Sequence, residues 1–506
     1  MKRALISVYE KEKIIKIAGA MNKAGWEIVS TGGTAAFLKG KGIPVSEVSA
    51  ITKFPEILDG RVKTLHPLIF GPVLAKKTAG HLEQLKELGA GKIDLVVINF
   101  YPFETALASK SNDLDAMLEN IDIGGPSLVR AAAKNFKDTI VLIDENDYEP
   151  VIAAIENNSE IPFELRKLLA QKAFAYTSFY DSLIASFLAI GQEGPPDFMT
   201  IGGRLEQKLR YGENPHQSAF LAVGDRHSPF HAIEQLHGKE LSFNNILDAA
   251  MVYEALNDFQ AKEHFAIIVK HQNPCGAAWA SAQPLAFQGA FAGDPRSAYG
   301  GIVGFNHCLE AETAAAMADI FFEVILAPDF SDATLNILRK KKNLRLIKMA
   351  AGYKEKADFK TIPGGFVYQS RDNLSFAIEA FARKAGKPLG KKEKFDVEFG
   401  WKLIKYVKSN GIIIVKNLQL IGVGAGQASR VDAVELAIRK SQSPVAGAVL
   451  LSDAFFPFPD SVELAGKHKI AVVVETGGSV RDSAVIQTAR KLGIKLLFTG
   501  IRHFRH

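Results

Sequence analysis

Short apolar runs separated by amphipathic stretches organise this chain. In the first 150 residues the runs "RALISV" (3–8), "EIVSTGG" (27–33), "IDLVVINF" (93–100) and "TIVLID" (139–144) predict strands, with helical patterns between them. Strands alternating with helices predict a parallel α/β sheet. Residues 164–190 carry one long helical pattern, and "GQEGPPDFMT" (191–200), rich in glycine and proline, is the best candidate linker. The expected domains are therefore residues 1–195 and 196–506.

Beyond the linker, "FAIIVKH" (265–271), "GIVGF" (301–305), "GIIIVK" (411–416), "GAVLLSD" (447–453), "IAVVVE" (470–475) and "KLLFTG" (495–500) predict buried strands of a second α/β unit. No periodic repeat stands out. The stretch "AIIVKHQNPCG" (266–276) reads as a strand ending at Lys270 and His271, with Pro274, Cys275 and Gly276 turning the chain away.

Composition narrows the class. A chain of 506 residues exceeds one ordinary core. With 47% hydrophobic and 23% charged residues it has the makings of a globular protein. A net charge of +6 is spread too thinly to argue for nucleic acid or a membrane surface. The basic run "RKKKNLRLIK" (339–348) reads as a solvated face, and an RNA-binding reading built on it would require steeply salt-dependent binding. Two cysteines, Cys275 and Cys308, exclude a disulfide framework and fit a reducing compartment, so a cytoplasmic location is expected. The first residues lack a signal-peptide pattern and no apolar run is long enough to span a bilayer, so no membrane association is expected.

Three segments of the first half suit an anion. "VSTGGTAAFLK" (29–39) opens a helix after a strand, where Thr31, Gly32, Gly33 and Thr34 offer N–H groups and hydroxyls to a phosphate, or simply make a tight turn. "DGRVKTLHP" (59–67) puts Arg61 and Lys63 on one face of an extended segment and Thr64 on the other. In "IDIGGPSLVRAAAKN" (121–135), Pro126 marks a first helical turn, Arg130 and Lys134 share a helix face, and Asp122 precedes the helix. Taken singly, Asp122 is a dipole-answering carboxylate and Lys134 a surface lysine. Jointly, at strand ends of an α/β sheet, the three segments read as a phosphorylated-metabolite site.

In the second half, Cys275 lacks a second cysteine three residues on, since that position is Ala278, so the zinc deaminase pattern fails and no metal is expected. As a thiol it is either buried or activated by its neighbours. His271 suits proton transfer near neutrality, though a structural histidine is equally open, and Lys270 at a strand end must reach solvent or a partner. Gly424, Gly426 and Arg430 in "GVGAGQASRVD" suggest another anion cradle, and "AFFPFPD" either a flat aromatic ligand or a buried corner.

In order, "STGGTA", "GRVKTLHP", "NFYPF", "IDIGGPS", "RAAAKN", "LRYGENPHQ", "VKHQNPCG", "GAGQASRVD", "SDAFFPF" and "TGIRHFRH" resemble the bifunctional purine biosynthesis family across essentially the whole chain. The resemblance implies a methylglyoxal-synthase-like parallel-sheet domain carrying an inosine monophosphate (IMP) cyclohydrolase. It further implies a transformylase built of cytidine-deaminase-like α/β units without zinc. The implied reactions are formyl transfer from 10-formyltetrahydrofolate, as cosubstrate, to the aminoimidazole carboxamide ribotide AICAR, then ring closure to IMP with loss of water. No metal is implied, and the family's homodimers share their transformylase sites between subunits.

By the same resemblance, His271 assists removal of the amine proton, Lys270 serves the departing folate nitrogen, and Asn410 orients the formyl group. Arg210, Tyr211, Asn245, Arg430, Arg502, Phe504 and His506 match nucleotide contacts, and Phe455 and Asp460 the folate side. For cyclisation, Lys63, Tyr101, Asp122 and Lys134 match catalytic positions. Ser7, Lys11, Thr31, Gly32, Gly33, Arg61, Thr64, Asn99, Ile123 and Gly124 match nucleotide contacts. Tyr9 stands where the family usually has a serine, and Pro459 where an arginine is frequent. Those departures motivate one rival, an enzyme with one live activity and a scaffold domain. A second rival, an allosteric nucleotide-binding module, rests on the resemblance, since methylglyoxal-synthase-like domains also serve as nucleotide sensors.

Overall fold

The computed structural model describes residues 1–506 except 56, 59–61, 111, 112, 193, 261, 375 and 376. Arg61, a predicted phosphate contact, thus lies outside the described residues. The chain forms two compact units: Met1–Arg204 with Val223–Arg226, and Leu205–Ala222 with His227–His506.

In the first unit, β1 (Arg3–Ser7), β2 (Glu27–Ser30), β3 (Ser46–Glu47), β4 (Leu95–Ile98) and β5 (Ile140–Leu142) form an all-parallel sheet in the order β3-β2-β1-β4-β5. The central runs are apolar at nearly every position because helices cover both faces of a parallel sheet. Among them are α1 (Ile15–Lys23), α2 (Gly32–Gly40), α3 (Gly124–Lys134) and the long α4 (Phe163–Leu188). Leu5, Val96 and Val97 are fully buried in this core with Leu128 and Ala132 of α3. The strand order reverses between β1 and β4, and open α/β sheets form ligand crevices at that switch point, outside the carboxyl ends of the strands. The four predicted strands of this unit all form; the two-residue β3 has no apolar run to announce it.

The second unit carries two small antiparallel pairs, β6 (Arg204–Leu209) with β7 (Ala219–Val223) and β14 (Ala357–Ile362) with β15 (Gly365–Ser370). Its main sheet has twelve strands. They are β8 (Glu234–His237), β9 (His264–Lys270), β10 (Asn273–Ala280), β11 (Ile302–Phe305), β12 (Val324–Ala327), β13 (Arg345–Lys348), β16 (Ala382–Ala385), β17 (Ile412–Lys416), β18 (Gln419–Gly424), β19 (Val449–Ser452), β20 (Val472–Glu475) and β21 (Lys495–Phe498). Their order, β16-β21-β20-β19-β17-β18-β10-β9-β11-β12-β13-β8, reads as two equivalent halves meeting at the β10–β18 pair. Each half opens with its outermost strand, β8 or β16, followed by a helix, α5 (Phe243–Asp258) or α9 (Lys391–Ile404), and continues with an antiparallel hairpin. Among the described residues, three further helices of seven or more residues follow in each: α6 (Gln283–Gly293), α7 (Ala311–Met317) and α8 (Asp332–Leu338), against α10 (Arg430–Lys440), α11 (Asp460–Lys467) and α12 (Asp482–Leu492). The duplication went unread in the sequence, although both hairpins enter on the same four residues, Ile-Ile-Val-Lys, at 267–270 and 413–416.

Alternation along these strands divides the core. Ile267, Val269, Ile413 and Val415 pack with α5 and α9, whereas Ala266 and Ile268 face α6 and α7, and Ile412 and Ile414 face α10. One expectation fails. Pro274, Cys275 and Gly276 do not turn the chain away: they lie in β10, which runs back beside β9 with Asn273 opposite Lys270. The turn is His271–Gln272 alone. Proline is tolerated there because it sits near the strand's start, beside a bulge between Pro274 and Gly276.

Candidate active sites

The first site is built at the carboxyl ends of β1, β2 and β4. Ser7 closes β1, and its Oγ lies 3.4 Å from Thr31 Oγ1 at the start of α2. The first N–H groups of a helix have no partner within it, which makes the Gly32–Gly33 start of α2 a ready anion cradle. Lys11 lies against it, its Cε 3.3 Å from where a Cβ on Gly33 would stand. Asn99, just past β4, accepts the Tyr9 and Glu10 N–H groups on Oδ1, which fixes the loop bearing Lys11.

Across the crevice α3 begins at Gly124. Asp122 accepts the Gly125 N–H on Oδ1 at 2.9 Å, and its own N–H donates to the Tyr180 hydroxyl at 2.8 Å. A side chain at Gly125 would collide with Asp122 Oδ2, 2.4 Å from its Cβ, so only glycine lets this carboxylate fold over the helix start. Burial pushes the Asp122 carboxyl above its ordinary value. The N–H groups of Gly125, Tyr101 and Gly124 and the charge of Lys63 oppose that shift without cancelling it. Thr64 Oγ1 approaches Gly124, 3.2 Å from its would-be Cβ, and Ile123 stands exposed at the rim. Tyr101 is half exposed, and the ring of Tyr9 meets it edge-on at 5.8 Å, so the departure at residue 9 packs against a candidate catalytic group.

The structure does not bring Lys134 to this cluster. It is the last residue of α3, which Asp122 precedes, and ten residue steps of helix separate Gly124 from Lys134 by about 15 Å. Lys134 instead borders a cavity of about 670 Å³ with Arg130, Lys167, Phe70 and Phe174.

The second site gathers along one edge of the twelve-stranded sheet. Lys270 donates to the Tyr299 carbonyl at 2.6 Å, and His271 is exposed in the turn. Both border a cavity of about 270 Å³ with Asn273, Asp294, Ser297 and Lys440. Asn273 links this turn to the neighbouring strand ends, its Oδ1 accepting the Lys408 N–H at 3.1 Å. There Asn410 is held at both ends of its amide, with one acceptor position of Oδ1 still open among the described residues: Nδ2 donates to the Gln427 and Ala428 carbonyls, and Oδ1 accepts from Arg430 Nη2 at 2.5 Å. Arg430 is 7% exposed and also binds Asp453 and Ser452 through Nη1. Asp453 has no exposed surface, so Arg430 and Asp453 form a buried ion pair whose guanidinium holds Asn410 in place.

The chain's last residues cross this edge, with the His503 N–H on the Asp453 carbonyl and Arg505 and Ser409 bonded both ways. Arg502 lies 4.4 Å over Phe504, whose ring is 5.5 Å from that of His506. Phe455 is exposed just after β19, and Asp460 opens α11. Arg481 stacks 4.6 Å over Phe458, so a cation stands in the segment where Pro459 supplies none. Asn245 is 4% exposed and bound to Glu323 at 2.7 Å; Arg210 lies over the Tyr211 ring in the β6–β7 segment.

Cys275 also borders the cavity beside Lys270 and His271, but burial pushes its thiol up to about 12, which disfavours the nucleophilic thiolate. Among the described residues there is no group of three or more His, Cys, Asp or Glu side chains placed to hold a metal, and no helix long and apolar enough to cross a membrane. The sequence reading overlooked Asp453 and Asp248. Asp453 lies inside a quoted motif, "SDAFFPF", and a carboxylate ending a buried strand was the available signal.

Known proteins are similar to this chain along its length. A family model described as the AICARFT/IMPCHase bienzyme matches residues 132–440, and one for the MGS-like domain matches residues 13–127. The bifunctional purine biosynthesis protein PurH of Thermoanaerobacter sp. (strain X514) is 45% identical over 508 residues, covering 100% of both chains. Those of Caldicellulosiruptor bescii and Persephonella marina are each 45% identical, over 517 and 520 residues, again covering 100% of both chains. The crystal structure of ForH matches 38% of this chain and 100% of that one, at 34% identity and a TM-score of 0.35. An MGS-like parallel-sheet unit followed by a duplicated α/β unit, matched along its full length by these relatives, makes this chain a member of the AICARFT/IMPCHase bienzyme family.

Proposed function

We infer that this chain is a bifunctional enzyme closing the route to IMP: it formylates AICAR from 10-formyltetrahydrofolate and then cyclises the formylated product. What carries the reading is that each unit gathers its own reactive set at its strand ends: Asp122 under the charge of Lys63 in one, and in the other Lys270–His271 in a turn that Asn273 ties to the segment leading into Asn410.

For formyl transfer, the AICAR amine attacks the formyl carbon. His271 takes the amine proton, Lys270 donates to the departing folate nitrogen, and Asn410, clamped by Arg430, presents a fixed amide beside the transferring group. The turn's exposure suits a site that admits two substrates. Arg210, Tyr211, Asn245, Arg502, Phe504 and His506 hold the nucleotide. Phe455 and Asp460 face the folate, and Arg481 offers its acidic tail the charge that Pro459 does not.

For cyclisation, the carboxamide nitrogen attacks the formyl carbon within one molecule, so the site need only orient the chain and move protons. The cradle of Ser7, Lys11, Thr31, Gly32, Gly33, Thr64, Asn99, Ile123 and Gly124, together with Arg61, holds the phosphoribosyl part. Asp122, with a raised proton affinity, exchanges protons with the reacting nitrogen and oxygen, while Lys63 and Tyr101 stabilise the developing charge. Lys134 takes part only where a second protomer brings it to a cradle. The working form is a homodimer with transformylase sites shared between protomers, in the cytoplasm. The test is to assay the half-reactions separately. His271→Ala should abolish formyl transfer and leave cyclisation of supplied formyl-AICAR intact, and Lys63→Ala the reverse. A variant that loses both activities would remove the two-site assignment.

A further inference from the structure

The turn bearing His271 is held by a group that the roles above do not use. His271 and Gln272 both have left-handed backbones, φ +54° and +56°, as a two-residue type I′ hairpin connection requires. Glycine enters that region freely, whereas any side chain, glutamine more than histidine or asparagine, does so at a steric penalty. From α5, one carboxylate compensates. Asp248 accepts the His271 N–H on Oδ2 at 3.0 Å and the Gln272 N–H on Oδ1 at 2.7 Å, so both N–H groups of the turn are charge-assisted donors to a single residue.

The second half of the sheet repeats the arrangement. Asn417 and Leu418, φ +52° and +59°, join β17 to β18, and Asp396 of α9 accepts their N–H groups at 3.1 and 2.6 Å. Here the preceding lysine, Lys416, is occupied by the Pro444 and Ala446 carbonyls, and no histidine stands in the turn. The molecule therefore contains the same clamp twice, once under the candidate acid–base pair and once without it.

We propose that Asp248 is a positioning residue for formyl transfer, fixing the backbone from which Lys270 and His271 reach the substrates, and that Asp396 is its purely structural counterpart. The proposal rests on reading Lys270–His271 as the acid–base pair. Asparagine cannot replace either carboxylate, because its amide would set one donor against an N–H donor.

The experiment compares Asp248→Asn with Asp396→Asn in the full-length chain, measuring urea unfolding, formyl transfer and cyclisation. Both variants should lose stability to a similar degree. Only Asp248→Asn should lower kcat for formyl transfer, by about a hundredfold, the scale of a misplacement of about 1 Å, with the KM for AICAR and the cyclisation rate nearly unchanged. Adding Gln272→Gly, which accepts a left-handed backbone freely, should return part of that kcat and of the lost stability, and it serves as the test if Asp248→Asn alone fails to fold. Equal kcat losses in the two asparagine variants, no loss in Asp248→Asn, or no recovery of kcat with glycine would overturn the proposal. If His271→Ala itself retained formyl transfer, the underlying reading would fail instead.

Discussion

Glu475 ends β20 with no exposed surface, and its replacement by glutamine has a calculable consequence. Its Oε2 accepts the Phe456 N–H at 2.8 Å, while Oε1 has no hydrogen-bond partner among the described residues. Burial pushes this carboxyl from 4.5 up to about 7; Asp482 adds to the shift, and the Phe456 and Gly477 N–H groups and Arg430 oppose it. Moving a carboxyl over that interval corresponds to about 3 kcal/mol. The native protein binds this proton more tightly than the unfolded chain, so the group's contribution is present below pH 4.5 and is lost as pH rises through 7. Glu475→Gln keeps the shape and removes the charge. It should match the parent at pH 4.5 and exceed it by about 3 kcal/mol at pH 8. A Trp26→Phe background leaves Trp279 and Trp401, both in the second unit, as fluorescent reporters of urea unfolding. Parallel pH curves for parent and variant, or a variant less stable at pH 8, would refute the reasoning.

Other consequences follow from the same geometry. Iodoacetamide at pH 9 should label the exposed Cys308 well before Cys275, whose thiol burial carries up to about 12; peptide mass spectrometry reads the order, and equal labelling would contradict the burial. Gly276→Ala places a Cβ 1.8 Å from the Ala290 carbonyl oxygen, and Gly422→Ala, its counterpart, 2.4 Å from that of Ala437. Each should lose about 2 kcal/mol or more in thermal unfolding, and an unchanged Tm would show that α6 and α10 are not seated so closely. Because burial raises the Asp122 carboxyl, the acid limb of the cyclisation rate should lie above the ordinary carboxylate range, and Asp122→Asn should remove the limb along with most of the rate. A wild-type limb at an ordinary carboxylate pH would deny Asp122 its role.

The sequence made most of this fold readable where burial wrote an unbroken apolar run. All ten predicted strands form, from Arg3–Ser7 to Lys495–Phe498, because strands covered on both faces have little choice of residue. It was silent where pairing depends on context. β10 contains a proline, a cysteine and a glycine, which locally signal a stop, yet Gly276 is there because α6 presses its carbonyl against the strand. The duplication was hidden because the second turn keeps the lysine of the first but not its histidine, although the aspartate beneath it is retained. Motif resemblance supplied the candidate site residues, whereas distances showed what each one touches within the fold. Arg430 braces Asn410 from within the fold, and Lys134 closes the helix that Asp122 precedes, a helix length away from it. Only packing reveals such differences, since spacing along a helix places both ends in one motif.

The central claim is that two chemically separate sites act in sequence on one substrate. Purified protein given AICAR and 10-formyltetrahydrofolate, with nucleotides followed by chromatography, tests it most directly. The parent chain should yield IMP, His271→Ala should leave AICAR unreacted, and Lys63→Ala should accumulate formyl-AICAR. IMP formation by His271→Ala, or a Lys63→Ala variant that stalls at AICAR, would contradict it.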